Sequence, residues 1–173
     1  MKVTVIIVSY NTKEILSNCL KDLLEKSGED EMEVFVVDNN SADNSAEMVA
    51  KDFPMVQLIA NSENLGFAAA NNQAWLRSTG EFILLLNPDA YIRQNAVRNV
   101  RKFLETRPEC GLCGGRLINL DGELDPSARR FPNGWYKFLT ITGISAKFSG
   151  SGFLNRYNFG DFMHDQPIEV DWV

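Results

Sequence analysis

Three short polar clusters hold the residue types from which a ligand site could be built. Ser9-Tyr10-Asn11 follows the apolar run Val3 to Val8, Asp38-Asn39-Asn40 follows a run ending at Val37, and Asn87-Pro88-Asp89 follows Phe82 to Leu86. Runs this short and this apolar read as strands buried on both faces, the habit of parallel sheets covered by helices. Pro88 cannot continue a central ladder, so the third run stops there. In an open α/β sheet, ligands lie outside the carboxyl ends of the strands. Asp89, just past such an end, is therefore the first candidate to meet a cation. Asp38 is an acceptor-only carboxylate, suited to the imide N–H of a uracil or thymine. Asn, Asp and Ser also make turns and caps with no ligand involved; three clusters at the ends of three strands are what favour a site.

Other chemistries have little to build on. His164 is the only histidine, too few for a His-based zinc site or a Ser-His-Asp triad. Cys19, Cys110 and Cys113 leave an odd count, and Cys110-Gly-Leu-Cys113 has no second pair to complete a zinc site, so reduced, buried thiols are expected. The first strand is followed by Val8-Ser-Tyr-Asn-Thr-Lys13 in place of Gly-x-Gly-x-x-Gly, and no Gly-x-x-x-x-Gly-Lys-Ser/Thr loop occurs. A net charge of −6 with scattered basic residues argues against nucleic acid as a partner. The opening Met1-Lys-Val-Thr-Val-Ile-Ile-Val is neither a signal peptide nor a spanning helix, and a cytoplasmic location is expected.

The elements that must position these clusters follow from periodicity. After the first strand, Asn11 and Glu14 have capping-box spacing. Ile15, Leu16, Cys19, Leu20, Leu23 and Leu24 then recur on one helical face until Ser27-Gly28. Glu33 to Val37 predicts a second strand, and Ser41 or Asp43 can cap a helix that Pro54 ends. Val56 to Ile59 predicts a third strand, Ala68 to Arg77 a helix, Phe82 to Leu86 the fourth strand and Asn95 to Thr106 a helix. Repeated βα units of this length predict a doubly wound, mainly parallel sheet with helices on both faces. Beyond Pro108, Leu112 to Leu120 and Asp121-Gly122 suggest a hairpin. Phe131 to Gly160, rich in aromatics and glycines without a clean period, suggests a long, partly mobile segment.

Val-Ile-Ile-Val-Ser-Tyr-Asn (5 to 11), Val-Val-Asp-Asn-Asn-Ser (36 to 41), Asn-Leu-Gly-Phe-Ala-Ala-Ala-Asn (64 to 71) and Leu-Leu-Leu-Asn-Pro-Asp (84 to 89) resemble the family 2 glycosyltransferases. The likeness extends to Ser127-Ala-Arg-Arg-Phe-Pro132 and Val170-Asp-Trp-Val173, and the bacterial rhamnosyltransferase-like members look closest. The resemblance implies an A-type glycosyltransferase fold, inversion at the anomeric carbon, and a divalent cation, Mg²⁺ or Mn²⁺. It implies a UDP- or dTDP-sugar donor and a saccharide or lipid-linked saccharide acceptor. Ser9 and Asn11 fall where the family lines the nucleotide, and Asp38 where it recognises the pyrimidine; Tyr10 and Asn40, in the same polar clusters, are expected to join the site. Asn64, Gly66 and Asn71 belong to the motif beside nucleotide and donor sugar, and Arg129 is expected to reach the diphosphate or acceptor. Asn87 takes the place of the first carboxylate of the family's Asp-x-Asp, which leaves Asp89 as the metal ligand.

Residues 1–125 are then the nucleotide-sugar-binding domain and 126–173 the start of an acceptor-side segment. The family continues past Asp-Trp-Val into an acidic motif that supplies the catalytic base, so the base is expected beyond Val173 and this chain is expected to be the donor-binding portion. Peripheral association with the inner face of the membrane is compatible with the full-length protein. Two rivals stand beside this reading. One is a nucleotide-sugar-binding module without turnover; the other, a sugar-nucleotide pyrophosphorylase, should carry a glycine-rich, Arg-containing loop where Ser9-Tyr10-Asn11 stands.

Overall fold

The computed structural model of the chain describes residues 2–26, 32–119, 121–160, 162 and 165–171. These form two compact units, 1–107 and 108–173. In the first unit the order is β1 (Val3–Ser9), α1 (Lys13–Lys26), β2 (Met32–Asp38), α2 (Ser45–Asp52), β3 (Gln57–Ala60), α3 (Phe67–Trp75), β4 (Phe82–Leu86) and α4 (Ala96–Glu105). The strands make one parallel sheet in the order β3-β2-β1-β4. The chain moves outward from β1 through β2 to β3, then crosses back to place β4 on the free side of β1. The strand order thus reverses between β1 and β4, where an open α/β sheet leaves a crevice at its carboxyl edge.

Alternation along the strands sorts the core into two layers. Val3, Val5 and Ile7 of β1 with Val34 and Val36 of β2 point to one face, where Leu16, Leu20 and Leu23 of α1, Val49 of α2 and Val97 of α4 cover them. Ile6, Phe35, Val37 and Ile59 point to the other face, against Ala70 and Ala74 of α3. Each fully buried aliphatic side chain of this set contributes about 1.5–3 kcal/mol. Small residues on α3 let that helix lie close to the sheet.

β4 departs from the expectation of burial on both faces. Phe82 and Leu84 pack on the α1 side, while Ile83 and Leu85 stay 38% and 54% exposed. Among the described residues β4 pairs with β1 alone and is an edge strand, and α3 packs over β1 and β2. The expected capping box of α1 does not form either. Asn11 sits in the left-handed region (φ 54°), and its Oδ1 accepts from the N–H of Ala42. The first N–H of α1, on Lys13, goes instead to Asp43 Oδ2 at 2.8 Å, thirty residues along the chain. Asp43 Oδ1 also accepts from the Ser45 N–H (3.0 Å) at the start of α2, so one carboxylate serves two helix starts. These bonds hold the Asp43 carboxyl below the usual carboxylate range, over the opposing effect of burial. The expected end of α1 at Ser27-Gly28 lies outside the described residues.

At the amino-terminal edge of the sheet, buried Glu33 is the centre of a polar cluster. It accepts from the Thr4 hydroxyl (2.8 Å), the Thr79 N–H (2.9 Å) and the Gln57 side-chain amide (3.1 Å), with Lys2 Nζ at 3.6 Å. Burial alone would raise its pKa; the hydrogen bonds and the lysine outweigh that and bring it below the usual value. The Gly80 N–H donates to Thr4 Oγ1, and a Cβ at Gly80 would lie 2.6 Å from the Thr4 backbone nitrogen. The segment entering β4 is thus laid directly on β1 at a place that requires glycine.

In the second unit β5 (Leu117–Ile118) and β6 (Leu124–Asp125) pair antiparallel around a turn containing Gly122 at φ 85°. The expected hairpin forms, with a strand much shorter than 112–120; Leu120 lies outside the described residues. The stretch 131–160 is not structureless. It contains α5 (Gly134–Ile141), capped by the Asn133 side chain on the Tyr136 N–H, then α6 (Ile144–Lys147) and a 3₁₀ turn (Arg156–Asn158). Cys19 is buried as expected, whereas Cys110 and Cys113 are half-buried; all three are free thiols. No helix among the described residues is long and apolar enough to cross a membrane.

Candidate nucleotide-sugar site

Parallel pairing brings Ser9 beside Asp38 and Ile7 beside Leu86, so the ends of β1, β2 and β4 share one edge. There the loops after β1 and β2 are laced together. The Asn39 N–H donates to the Ser9 carbonyl (2.8 Å), the Asn11 N–H to Ser41 Oγ (2.9 Å) and the Ala42 N–H to Asn11 Oδ1 (2.8 Å). Ser9 Oγ and Thr12 Oγ1 are 2.9 Å apart. Asn11, Asn40 and Asn44 all have positive φ, a conformation asparagine tolerates better than other non-glycine residues. Tyr10 and Asn40 project from this lattice into solvent.

Asp38 occupies a different position from the one its type suggests. It is 2% exposed, and both oxygens are engaged by one residue: Oδ2 by the Ser41 N–H (2.9 Å) and Oδ1 by the Ser41 hydroxyl (2.5 Å). Asp38 thus shapes the β2 loop by accepting from the backbone and the hydroxyl of a residue three positions on. Two of the four lone-pair sites of the carboxylate remain for another donor.

A side-chain amide chain behind this loop escaped sequence reasoning. Asn39 Nδ2 donates to the Gly66 carbonyl (3.3 Å), its Oδ1 accepts from Asn61 Nδ2 (3.0 Å), and Asn61 exchanges bonds with Gln73 of α3. These ties set the entry to α3 against the end of β2. Asn64 Oδ1 accepts from the Gly66 N–H (2.9 Å), and Gly66 has φ 78° and ψ 171°, a region open in practice only to glycine. Asn71 is buried on α3; its Nδ2 donates to the Phe67 carbonyl, and its Oδ1 has no partner among the described residues.

Asn87 and Asp89 lie past the end of β4, both exposed. The Asn87 carbonyl is approached by the Cys19 thiol (3.8 Å), which ties the strand end to α1. Asp89 has no hydrogen-bond or ion-pair partner among the described residues, in contrast to Asp38, Asp43 and Glu33. Cys19 is pushed up to about 12, mainly by burial, with the charges of Asp22 and Asp89 adding to it, so it stays a thiol and offers no thiolate to a metal. Among the described residues no group of three or more His, Cys, Asp or Glu could hold a metal. One free carboxylate at the crevice fits a hard cation that draws its remaining ligands from phosphate oxygens and water, as Mg²⁺ usually does, and not an all-protein cage.

Arg129 belongs to the second unit, where its guanidinium donates to the Ala128 carbonyl (2.9 Å), while the Arg130 guanidinium stacks 4.3 Å from the Phe159 ring centre. Of the late carboxylates, Asp171 accepts from the Phe131 N–H (2.8 Å), whereas Asp165 and Glu169 are exposed; Asp161 and His164 lie outside the described residues.

A parallel sheet with this strand reversal, covered by helices on both faces, is that of the A-type glycosyltransferase fold. The chain belongs to glycosyl transferase family 2, whose profile matches residues 4–161. It is 33% identical over 117 residues to the uncharacterized glycosyltransferase YfnE of Bacillus subtilis, across 66% of this chain and 30% of that protein. Among solved structures it resembles the mannosyltransferase PcManGT from Pyrobaculum calidifontis, in complex with GDP-Man and Mn²⁺, at TM-score 0.55 and 31% identity over 59% of this chain and 32% of that one. It also resembles Staphylococcus aureus TarS 1-349 in complex with UDP-GlcNAc, at TM-score 0.56 and 27% identity over 62% of this chain and 32% of that one. The chain spans about a third or less of the length of each of these three proteins.

Proposed function

We propose that this chain is the donor-binding portion of an inverting glycosyltransferase of the rhamnosyltransferase-like branch, moving a sugar from a UDP- or dTDP-sugar to a saccharide or lipid-linked saccharide acceptor. The observation that carries the proposal is the free Asp89 carboxylate past β4, across the β1/β4 crevice from the laced Ser9–Asn11 and Asp38–Ser41 loops, in a family 2 chain. Residues 1–125 would hold the donor and 126–173 begin the acceptor side. Ser9, Tyr10, Asn11, Asn40, Asn64, Gly66, Asn71 and Asn87 would line the nucleotide and sugar, with Arg129 pairing with a phosphate or the acceptor. Asp89 would hold Mg²⁺ or Mn²⁺, a cation that neutralises charge on the departing nucleoside diphosphate when bound. The site of action would be cytoplasmic, at the inner face of the membrane where the acceptor is lipid-linked, feeding cell-surface polysaccharide.

The pyrimidine preference rests on the remaining lone pairs of Asp38. It is tested by thermal shift with UDP, dTDP, GDP and ADP, each with and without Mn²⁺. A ligand present at 100 times its Kd adds about 2.7 kcal/mol. UDP or dTDP should stabilise the protein most. Asp38→Asn should narrow the gap to GDP, while Ser41→Ala, which removes the hydroxyl bonds to Asp38 Oδ1 and the Asn11 N–H but keeps the Asp38 carboxylate, should lower the response to all four by a similar amount. Parallel losses in both variants would remove Asp38 as the reader of the base. Nucleotide binding in the natural full-length protein without sugar transfer to any acceptor would favour a binding module instead.

A further inference from the structure

The amide chain through Asn39, Asn61 and Gln73 has a direction that a single backbone group dictates. The Gly66 carbonyl can only accept, so Asn39 must turn Nδ2 toward it (3.3 Å) and Oδ1 toward Asn61. Asn61 must then present Nδ2 (3.0 Å), which leaves its own Oδ1 to accept from Gln73 Nε2 (3.1 Å), while Gln73 Oε1 accepts in return (3.0 Å). The same Gly66 carbonyl takes the first helical bond of α3, from the Ala70 N–H (3.2 Å), so Asn39 holds the group on which α3 begins. The backbones of the chain's first two members are pinned as well. The Asn39 N–H donates to the Ser9 carbonyl at the end of β1 (2.8 Å), and the Asn61 N–H to the Asp38 carbonyl at the end of β2 (2.9 Å). Asn39 is buried, and Asn61 and Gln73 are half-buried, where a fully satisfied polar network stiffens what it joins.

We propose that Asn39, Asn61 and Gln73 are positioning residues for the donor nucleotide, an amide chain that holds the Asn64–Gly66 loop and the start of α3 in place beside Asp38. The proposal rests on the reading of this edge as the donor site, and none of the three residues is among those assigned to line it. Gly66 has φ 78° and ψ 171°, with its N–H on Asn64 Oδ1 and its carbonyl on Asn39. A loop fixed in this way before the ligand arrives spares the binding step the entropy of ordering it. Gln73, about two helical turns beyond Gly66, acts through the other two amides and not by touching the ligand.

The test is titration calorimetry with UDP and with dTDP, each with Mn²⁺, at a temperature where every variant is folded. Asn39→Ala keeps both backbone ties and should weaken the tighter nucleotide by about three- to ten-fold, the loss of one neutral hydrogen bond. Gln73→Met keeps the length of the side chain and suits a helix, and should weaken it by about two- to three-fold. The double variant should bind no worse than Asn39→Ala alone, because without Asn39 the Gln73 end has nothing to act through. Gly80→Ala, a strain at the opposite edge of the sheet, serves as the control: it should lower the melting temperature and leave the Kd unchanged. In the protein without ligand, Asn39→Ala and Gln73→Met should each speed hydrogen exchange at the Gly66 and Ala70 N–H groups by at least about two-fold. Variants that melt early yet bind with the wild-type Kd, as Gly80→Ala should, would overturn the proposal, and so would additive losses in the double variant or unchanged exchange at Gly66 and Ala70. A wild-type protein that binds neither nucleotide would sink the donor-site reading itself, and this role with it.

Discussion

The two edges of the sheet hold carboxylates treated in opposite ways. At the amino-terminal edge, Glu33 is buried and receives bonds from Thr4, Gln57 and Thr79. At the carboxyl-terminal edge, Asp89 is exposed and has no partner among the described residues. A buried charge is tolerable only when hydrogen-bonded and paired, and once so satisfied it has little left to offer a ligand. An exposed, unpaired carboxylate adds little to stability and is free to take a cation. Asp38 combines the two, at the ligand edge yet even more enclosed than Glu33, which is why its role must be tested separately.

The sharpest way to break this contrast is at Asp89. Asp89→Ala should remove the Mn²⁺-dependent part of nucleotide binding and, in the full-length enzyme, cost on the order of 10²–10³ in kcat. Its melting temperature without ligand should stay at the wild-type value. A clear drop in that temperature would mean Asp89 serves the fold. Glu33→Ala should do the reverse, destabilising the protein by about 3 kcal/mol by leaving the Thr79 N–H and its companions unpaired. Nucleotide affinity of the folded fraction, read by titration calorimetry, should be unaffected.

Gly80→Ala should cost about 1–3 kcal/mol in urea unfolding, because its Cβ collides with the backbone of Thr4. The smallest effect is on pH dependence. Glu33 is below its ordinary value of 4.5 in the folded state, so its contribution is complete above that value and is lost as pH falls through the depressed folded value. Acid unfolding of Glu33→Gln should therefore be less steep below pH 4.5 than that of the wild type, and an unchanged slope would show that other groups dominate there.

Much of this contrast was legible in advance on the ligand side and almost none of it on the other. Val3 to Val8, Glu33 to Val37 and Phe82 to Leu86 are short apolar runs that announce strands, and the polar residues ending each run follow from the βα rhythm. The edge position of β4 was not legible, because strand order is a property of packing and Phe82–Leu86 is apolar on both faces. Nor was the bond from Lys13 to Asp43, since the capping box at Asn11 and Glu14 looks sufficient when only local partners are considered. The Glu33 cluster draws on Thr4, Gln57 and Thr79, too far apart in sequence for any spacing rule. α5 was missed because exposed Trp135, Phe138 and Ile141 blur the amphipathic signal by which surface helices are recognised. The engagement of Asp38 by Ser41 could have been anticipated from the readiness of Asp side chains to bond neighbouring backbone groups in loops.

The lacing of the β1 and β2 loops through Asn11, Ser41 and Asp43 bears on the timing of events at the rim. Fixing a backbone residue costs about 1–2 kcal/mol in conformational entropy, and here that loss is incurred when the chain folds. A ligand arriving at Ser9–Asn11 and Asp38–Ser41 meets a rim that is already rigid. The two loops should also respond as one body, so a disturbance at Ser41 should reach Asn11 without any change in the sheet beneath. In hydrogen-exchange measurements the N–H groups of Asn11, Lys13, Ser41 and Ala42 would then open together, at one common rate, and slow together when nucleotide is added.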